Sequence, residues 1–514
     1  MHTRVIGVSA IIAAIGVFAV VACGSGASSP PSTGCEPGSK ESCTGPNLCS
    51  GKQVCKADRT YDACVCPPVP DASLPDVDPP PPPDAGKDAA IVEAGPDAKP
   101  FDPKPLTWVR SVDMTYTAAL AVDGNHDIVA VGQGILGNII KLDAKGTLLW
   151  QKVFLSDSFA PANGLAVAGD LAGNAYVVVD SPPNIDYGGG KIVAPGRVLL
   201  KLDVNGNYVW HYGPFDHVNF TKLVTRSNGN LVMAGETYGA NDFGGGTVSP
   251  NGAYDGVLVE LTPSKTLVRV KQFGDAGYQS IQDVALDPSG NAYVVGFFNG
   301  SIDFGQGAMT GPPPSNLSYV AHDVFVAKLG PTFNGIAQKS GGSTSGADYL
   351  FRVALDPFGN VALAGNVQST IKLGTNPVTA FTGGDIYLAY LDPSLTEIWS
   401  GGYGGYAGQN VTALAARTSG GLVAFGFTGG TLSFGLGGLP VGTTGIFSVN
   451  FDTAGNPISN FSATIAGGSV SPQTLTYLGG TDYVYSGNCQ GGTLTLPSGP
   501  YVCNGKGFVT RRAP

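Results

Sequence analysis

Asp283 to Gly305 reads DVALDPSGNAYVVGFFNGSIDFG. An apolar-rich run, 281–287, leads into the turn Pro288-Ser-Gly-Asn291. In such a turn Pro presets φ, Gly tolerates φ > 0, and the preceding Asp287 can accept local backbone N–H groups. The β-branched and aromatic run Ala292-Tyr-Val-Val-Gly296 follows, then the glycine loop, then a third run opening at Asp323. We label these strands a, b and c. Variants recur to the C-terminus, so the chain reads first as a repeat protein.

The a–b turn returns at Asp123-Gly-Asn125, Asp170 to Asn174, Ser227 to Asn230, Asp356 to Asn360 and, weakly, Thr418 to Gly421. Strand c and its turn return at Lys141-Leu-Asp143, Lys201-Leu-Asp203, Glu260-Leu-Thr262, Lys328-Leu-Gly330, Tyr390-Leu-Asp392 and Asn450-Phe-Asp452. The loop returns as Asp186-Tyr-Gly, Asp242-Phe-Gly and Ser433-Phe-Gly. Four short strands per unit at this spacing are the signature of a β-propeller blade. The fold class is therefore all-β, a propeller, with seven four-stranded blades as the count of strand sets.

The four tryptophans, Trp108, Trp150, Trp210 and Trp399, all fall in the fourth strand, d. Trp108 precedes the first complete unit, and the last unit ends at its third strand, Gly507 to Arg512. The simplest account is closure: an N-terminal strand at 106–112 completes the last blade and leaves no open edge.

The turn, the Asp-Phe-Gly loop and the blade spacing resemble the bacterial β-propeller repeat called SBBP over residues 104–514. That resemblance implies a fold and a surface setting, and no reaction. It is weakest in the last two units, where the turn asparagine is lost.

Composition agrees. Gly accounts for 76 of 514 residues and charged residues for 13%, against typical values of ~7% and ~25%. A net charge of −10 argues against a nucleic-acid partner, which calls for basic patches.

At the N-terminus, 1–22 reads as a signal peptide: Arg4, an apolar run from Val5 to Val21, then Ala22. Val20-Val-Ala-Cys23 resembles the lipobox of bacterial lipoproteins. The resemblance implies lipidation of Cys23, hence membrane attachment by acyl chains. The residue after it is Gly24 rather than an aspartate, which favours the outer membrane. Residues 23–34 form the anchor and a short spacer.

Six cysteines follow within 35–66: Cys35, Cys43, Cys49, Cys55, Cys64 and Cys66. An even number in an exported, apolar-poor segment predicts a small disulfide-rich module with fifteen possible connectivities. Residues 67–105 hold thirteen of the 38 prolines. Their eight carboxylates against three lysines (−8 + 3 = −5) supply half the chain's net charge. Such a stretch predicts an extended linker, not a core. Cys489 and Cys503 flank the last b–c loop, 490–502, and remain as a disulfide pair expected to tie strand b to strand c, with a reactive thiol pair as the alternative.

No Gly-x-Ser-x-Gly elbow or P-loop occurs. His211 and His217 lack a metal-ligand spacing, and His322 sits at the start of strand c. Asp123, Asp170, Asp287 and Asp356 could suggest calcium, but their place before turns favours capping, so no cofactor is expected. The sequence thus predicts a lipid-anchored, extracytoplasmic protein of the bacterial cell envelope. Its propeller would bind an envelope protein or a polysaccharide through the face carrying the b–c loops and d–a connections. A polysaccharide lyase or hydrolase at the central channel, and a passive structural protein, are the other readings.

Overall fold

The computed structural model describes residues 40–44, 50–54, 107–134, 139–315, 321–342, 346–381, 384–405, 408–430, 432–436, 445–479, 482–496 and 499–512. Cys23, five of the six N-terminal module cysteines and the linker lie outside these. Within the first of two compact units, Met1–Ala89, the described residues form one antiparallel hairpin, Lys40–Thr44 with Ser50–Val54. Cys43 lies on its first strand, opposite Gly51.

The second unit is a seven-bladed β-propeller, with no helix among the described residues. Blades 1 to 6 occupy 116–152, 163–215, 218–273, 279–341, 349–403 and 409–466. Blade 7 occupies 469–512 and takes its outer strand from the other end of the chain. Trp108–Val112 pairs antiparallel with Gly507–Arg512, Trp108 opposite Arg511 and Val112 opposite Gly507. The inner strand of blade 7, Ser469–Gly479, lies against that of blade 1, Tyr116–Val122, so the ring is closed. The closing strand begins two residues later than the sequence-predicted 106.

The core lies between blades. Val295 and Val326 of blade 4, for example, pack on Leu350 and Leu363 of blade 5. Middle strands are therefore buried on both faces; Leu231–Thr237 and Asp255–Leu261 are buried throughout. That is why they read as continuous apolar runs, whereas the outer strand Leu267–Phe273 mixes exposed and half-buried positions.

Every inner strand carries a β-bulge at the same level, and that of blade 7 has a second irregularity between Tyr477 and Gly479. The unpaired residues at the shared level are Ala118, Leu165, Thr221, Gln282, Phe351, Thr412 and Gln473. A bulge pushes the strand's backbone toward its partner, and the partner answers with glycine. A Cβ on Gly132, Gly235, Gly296 or Gly365 would sit 1.9 Å from a carbonyl oxygen of the bulged strand, and on Gly426 2.0 Å. Blade 2 reverses the arrangement, with Gly164 on the bulged strand opposite Val179. The Val-Val-Gly of strand b is thus a packing signature.

The tryptophans have a common task. Each indole lies on the c–d turn of the next blade. Trp108, Trp150 and Trp210 donate Nε1–H to Ala144, Val204 and Pro263 carbonyls at 3.2, 2.9 and 3.2 Å. Trp399 covers Gly455, where a Cβ would fall 2.8 Å from the ring. Between blades 3 and 4, Arg269 takes this place, donating to Pro331 O at 2.7 Å. At the seam Arg511 adds a donor to Ala144 O at 2.9 Å and pairs with Asp482.

Cys489 and Cys503 are disulfide-bonded. The segment between them, read in the sequence as a plain b–c loop, is a hairpin, Thr493–Leu496 with Gly499–Val502. It adds to the outer strand of blade 6, Pro457–Ala466, making a six-stranded sheet. The disulfide closes the base of that hairpin; it does not join strand b directly to strand c.

Gly365→Ala forces a methyl group against Tyr349 O. We expect a loss of about 2–3 kcal/mol in chemical denaturation; a loss below about 0.5 kcal/mol would contradict the bulge argument.

Candidate functional site

On the face with the a–b and c–d turns, the carboxylates are occupied by their own chain. Asp170 Oδ1 accepts Ala172 N at 3.0 Å and Asn174 N at 2.9 Å. Asp123, Asp287 and Asp356 do the same in their turns. The loop aspartates Asp186, Asp242 and Asp303 likewise hold the glycine hairpins of the b–c loops, each accepting two or three backbone N–H groups. These are Asx caps. His126 and His211 stand apart on different blades. Among the described residues no group of three or more His, Cys, Asp or Glu side chains could hold a metal ion.

The opposite face differs. There b–c loops meet d–a connections directly: Ser156 bridges Ile185, Tyr254 bridges Tyr278, and His322 bridges Ala347. Register places one level of side chains from successive blades side by side: Asn163 opposite Asp180, Asn219 opposite Glu236, Ser280 opposite Phe297, and Tyr349 opposite Asn366. A hydrogen-bonded chain links them across blades 2 to 4. Arg197 pairs with Asp180 and donates to Asn219 Oδ1 at 3.2 Å. Asn219 Nδ2 donates to Glu236 Oε1 at 3.1 Å, and Tyr278 OH reaches both Glu236 oxygens at 3.1 Å. Glu236 is nearly buried yet has only neutral donors among these partners. Burial first, then the Glu236 charge, raises the Tyr278 pKa, so its hydroxyl stays a donor.

From Tyr278 the arc continues as aromatic rings. Tyr278 stacks on Tyr254 at 4.4 Å and on Phe297 at 5.7 Å. Phe297 meets Tyr349 edge-on at 4.9 Å, and Tyr349 stacks on Phe351 at 5.3 Å. Tyr238 and His217 extend the row on the blade-3 side. His322 lies inside it, 4.9 Å from Phe297, fully buried with neither ring nitrogen hydrogen-bonded. Burial lowers its pKa to about 4.

Sequence reading pointed to this face, set His217 and His322 aside, and did not single out Arg197, Asn219, Glu236, Tyr278 or Tyr349. One signal was available. The residue after the strand-b glycine, or its counterpart, is Asp180, Glu236 or Asn366 in blades 2, 3 and 5, but phenylalanine in blades 4 and 6. A polar side chain closing a wholly buried strand needs a reason.

The clefts that form at the outer rim, such as one of about 370 Å³ between the closing strand and blade 1, are remote from this arc. The arc is only partly open: Glu236, Tyr278, Phe297 and His322 are buried, Asp180, Asn219 and Tyr349 are half-buried, and Tyr238 is exposed.

A histidine with a depressed folded pKa stabilises fully above its unfolded value and loses that contribution as pH falls toward its folded value. His322→Phe should therefore flatten the acid limb: the difference in unfolding free energy between pH 7 and pH 5 should shrink by roughly 2 kcal/mol. An unchanged difference would mean that His322 is not held neutral.

Comparisons agree with the fold. The family profile described as the SBBP beta-propeller repeat matches residues 268–296. That segment runs from the outer strand of blade 3 through the inner strand of blade 4 to Gly296. No curated protein sequence matches the chain. Similar solved structures include YCF48 bound to D1 peptide, at 11% identity over 81% of this chain and 99% of that one, TM-score 0.41. A gluconolactonase from Xanthomonas campestris is 12% identical over 82% and 99%, TM-score 0.32. Sqt1 from Chaetomium thermophilum is 10% identical over 79% and 100%, TM-score 0.34. Likeness at this level carries nothing about ligand or reaction. The chain is a seven-bladed β-propeller that carries an SBBP-type propeller repeat at residues 268–296.

Proposed function

We infer that this is a lipid-anchored protein of the bacterial cell envelope, held by Cys23 at the outer membrane, whose propeller captures an envelope protein or a polysaccharide through its loop face. The observation that carries the reading is the asymmetry of the two faces. Turn-face aspartates are occupied by their own backbone, while Arg197, Asn219, Glu236, Tyr278, Phe297 and Tyr349 from four blades form one connected network, half-buried at Arg197, Asn219 and Tyr349. Rigid scaffolds commonly carry function on such loop faces. Binding is favoured over hydrolysis because the carboxylates along the arc are engaged by neighbouring donors, with Asp323 Oδ1 beside it the exception. Asp180 pairs with Arg197, Glu236 accepts Tyr278 and Asn219, and Asp348 accepts Gln368 N and Ser369 N.

The test is a crosslinking pull-down of the full lipoprotein from native membranes, against a chain carrying Asn219→Ala and Tyr278→Phe. We expect the double variant to fold and to lose at least about tenfold in captured partner, or about 1.4 kcal/mol. Equal capture by both would remove the arc from the binding surface.

A further inference from the structure

Three aspartates open strand c at the same level, Asp255, Asp323 and Asp385. Two are met by amides. Gln272 Nε2 donates to Asp255 at 2.5 Å, and Gln409 Nε2 donates to Asp385 at 2.8 Å. Between blades 4 and 5 both amide positions have changed. Ser340 stands where register places Gln272 in blade 3. Asp348, immediately before Tyr349, stands where Gln409 stands in blade 6. Asp323 Oδ1 is buried with no hydrogen-bond partner, as is Asp255 Oδ1, but here a carboxylate, itself held by Gln368 N, Ser369 N and Ser369 Oγ, occupies the amide's place.

This pair sits under a clasp. His322, at the end of the b–c loop, forms a parallel bridge with Ala347 of the d–a connection. The bridge rests on two long bonds, His322 N to Gly346 O at 3.3 Å and Asp348 N to His322 O at 3.4 Å. Gly342 approaches from the outer strand so closely that a Cβ there would lie 2.2 Å from Asp323 Oδ1. Tyr349, the next residue, is part of the aromatic arc.

We propose that Asp323 and Asp348 form a proton-operated latch: with a proton on Asp323 the described ends of the b–c loop and d–a connection, 321–323 and 346–349, stay clasped, and loss of that proton sets a half-buried and a buried negative charge against each other and releases them. Burial, then the Asp348 charge, raises the Asp323 pKa to about 6. Asp348 is the charged group that raises it. The titratable neighbours are His322, whose pKa is lowered to about 4, and Tyr349, whose pKa is raised by burial and by Asp348. Neither changes charge between pH 5 and 8. The sign follows. A carboxyl with a raised folded pKa favours the clasped state at low pH, and that preference is lost as pH climbs from about 4 to about 6. A shift of about two units corresponds to as much as ~100-fold in the clasp's opening equilibrium. The latch stands on its own geometry; only its consequence, easier access to the arc at neutral pH, rests on the binding reading above.

Amide hydrogen exchange on the full chain tests it, with labelling times scaled for intrinsic pH dependence. Peptides covering 321–323 and 346–349 should lose up to about tenfold protection between pH 5 and pH 7.5 in the native protein. Asp348→Gln, which restores the amide found beside Asp385, should abolish that change and raise Tm at pH 7.5. Asp323→Asn should also abolish it, so the test survives failure of either variant to fold. Constant protection in the native protein, or a pH response that persists in Asp348→Gln, would overturn the latch. A working latch with partner capture independent of pH would instead count against the arc as the binding surface.

Discussion

The pairing of Trp108–Val112 with Gly507–Arg512 is the constraint on which the rest depends. A propeller has no core of its own at its centre. Its apolar surface is buried blade against blade, so every interface exists only while the ring holds. Here the two ends of a 400-residue segment are joined by one strand of five residues. Side chains reinforce the joint: Trp108 and Arg511 both donate to Ala144 O. Lys506 pairs with Asp113, and Thr510 donates to Trp108 O at 2.6 Å. The seam repeats the tryptophan-on-turn contact of the junctions between blades 1 and 2, 2 and 3, and 5 and 6, although the chain is broken there.

Two devices shape the blades between those junctions. The bulge in each inner strand and the glycine opposite it bring strands a and b unusually close. The glycine hairpins then plug the outer rim with Phe243, Phe304 and Phe434, all buried. Blade 6 adds a third, because it borrows two strands from the hairpin that blade 7 inserts. The disulfide closing that hairpin lies beside the seam, where the repeat pattern is most divergent.

Much of this was legible in the sequence because it is local. Asp-x-x-Gly-Asn turns announce themselves by the φ requirements of Gly and the capping oxygen of Asp, and Trp108 before the first unit announced closure. What stayed hidden is nonlocal. Gly296 looks like a flaw in a strand until the bulge at Gln282 is seen opposite it. Glu236 and Tyr278 are 42 residues apart, and only the ring brings them together. The 490–502 segment lacked any repeat to compare with, so its pairing with blade 6 could not be read. Asp348 looked ordinary until register set it against Gln409.

If ring closure positions the arc, then removing the closing strand should abolish both stability and capture. The direct measurement is on the full chain with residues 108–112 deleted, followed by thermal unfolding and by pull-down from native membranes. The account predicts a Tm lowered by 10 °C or more, on the order expected for the loss of several kcal/mol, together with loss of the partner. An unchanged Tm with the partner still captured would contradict it, because the ring would then be held by something other than its own first strand.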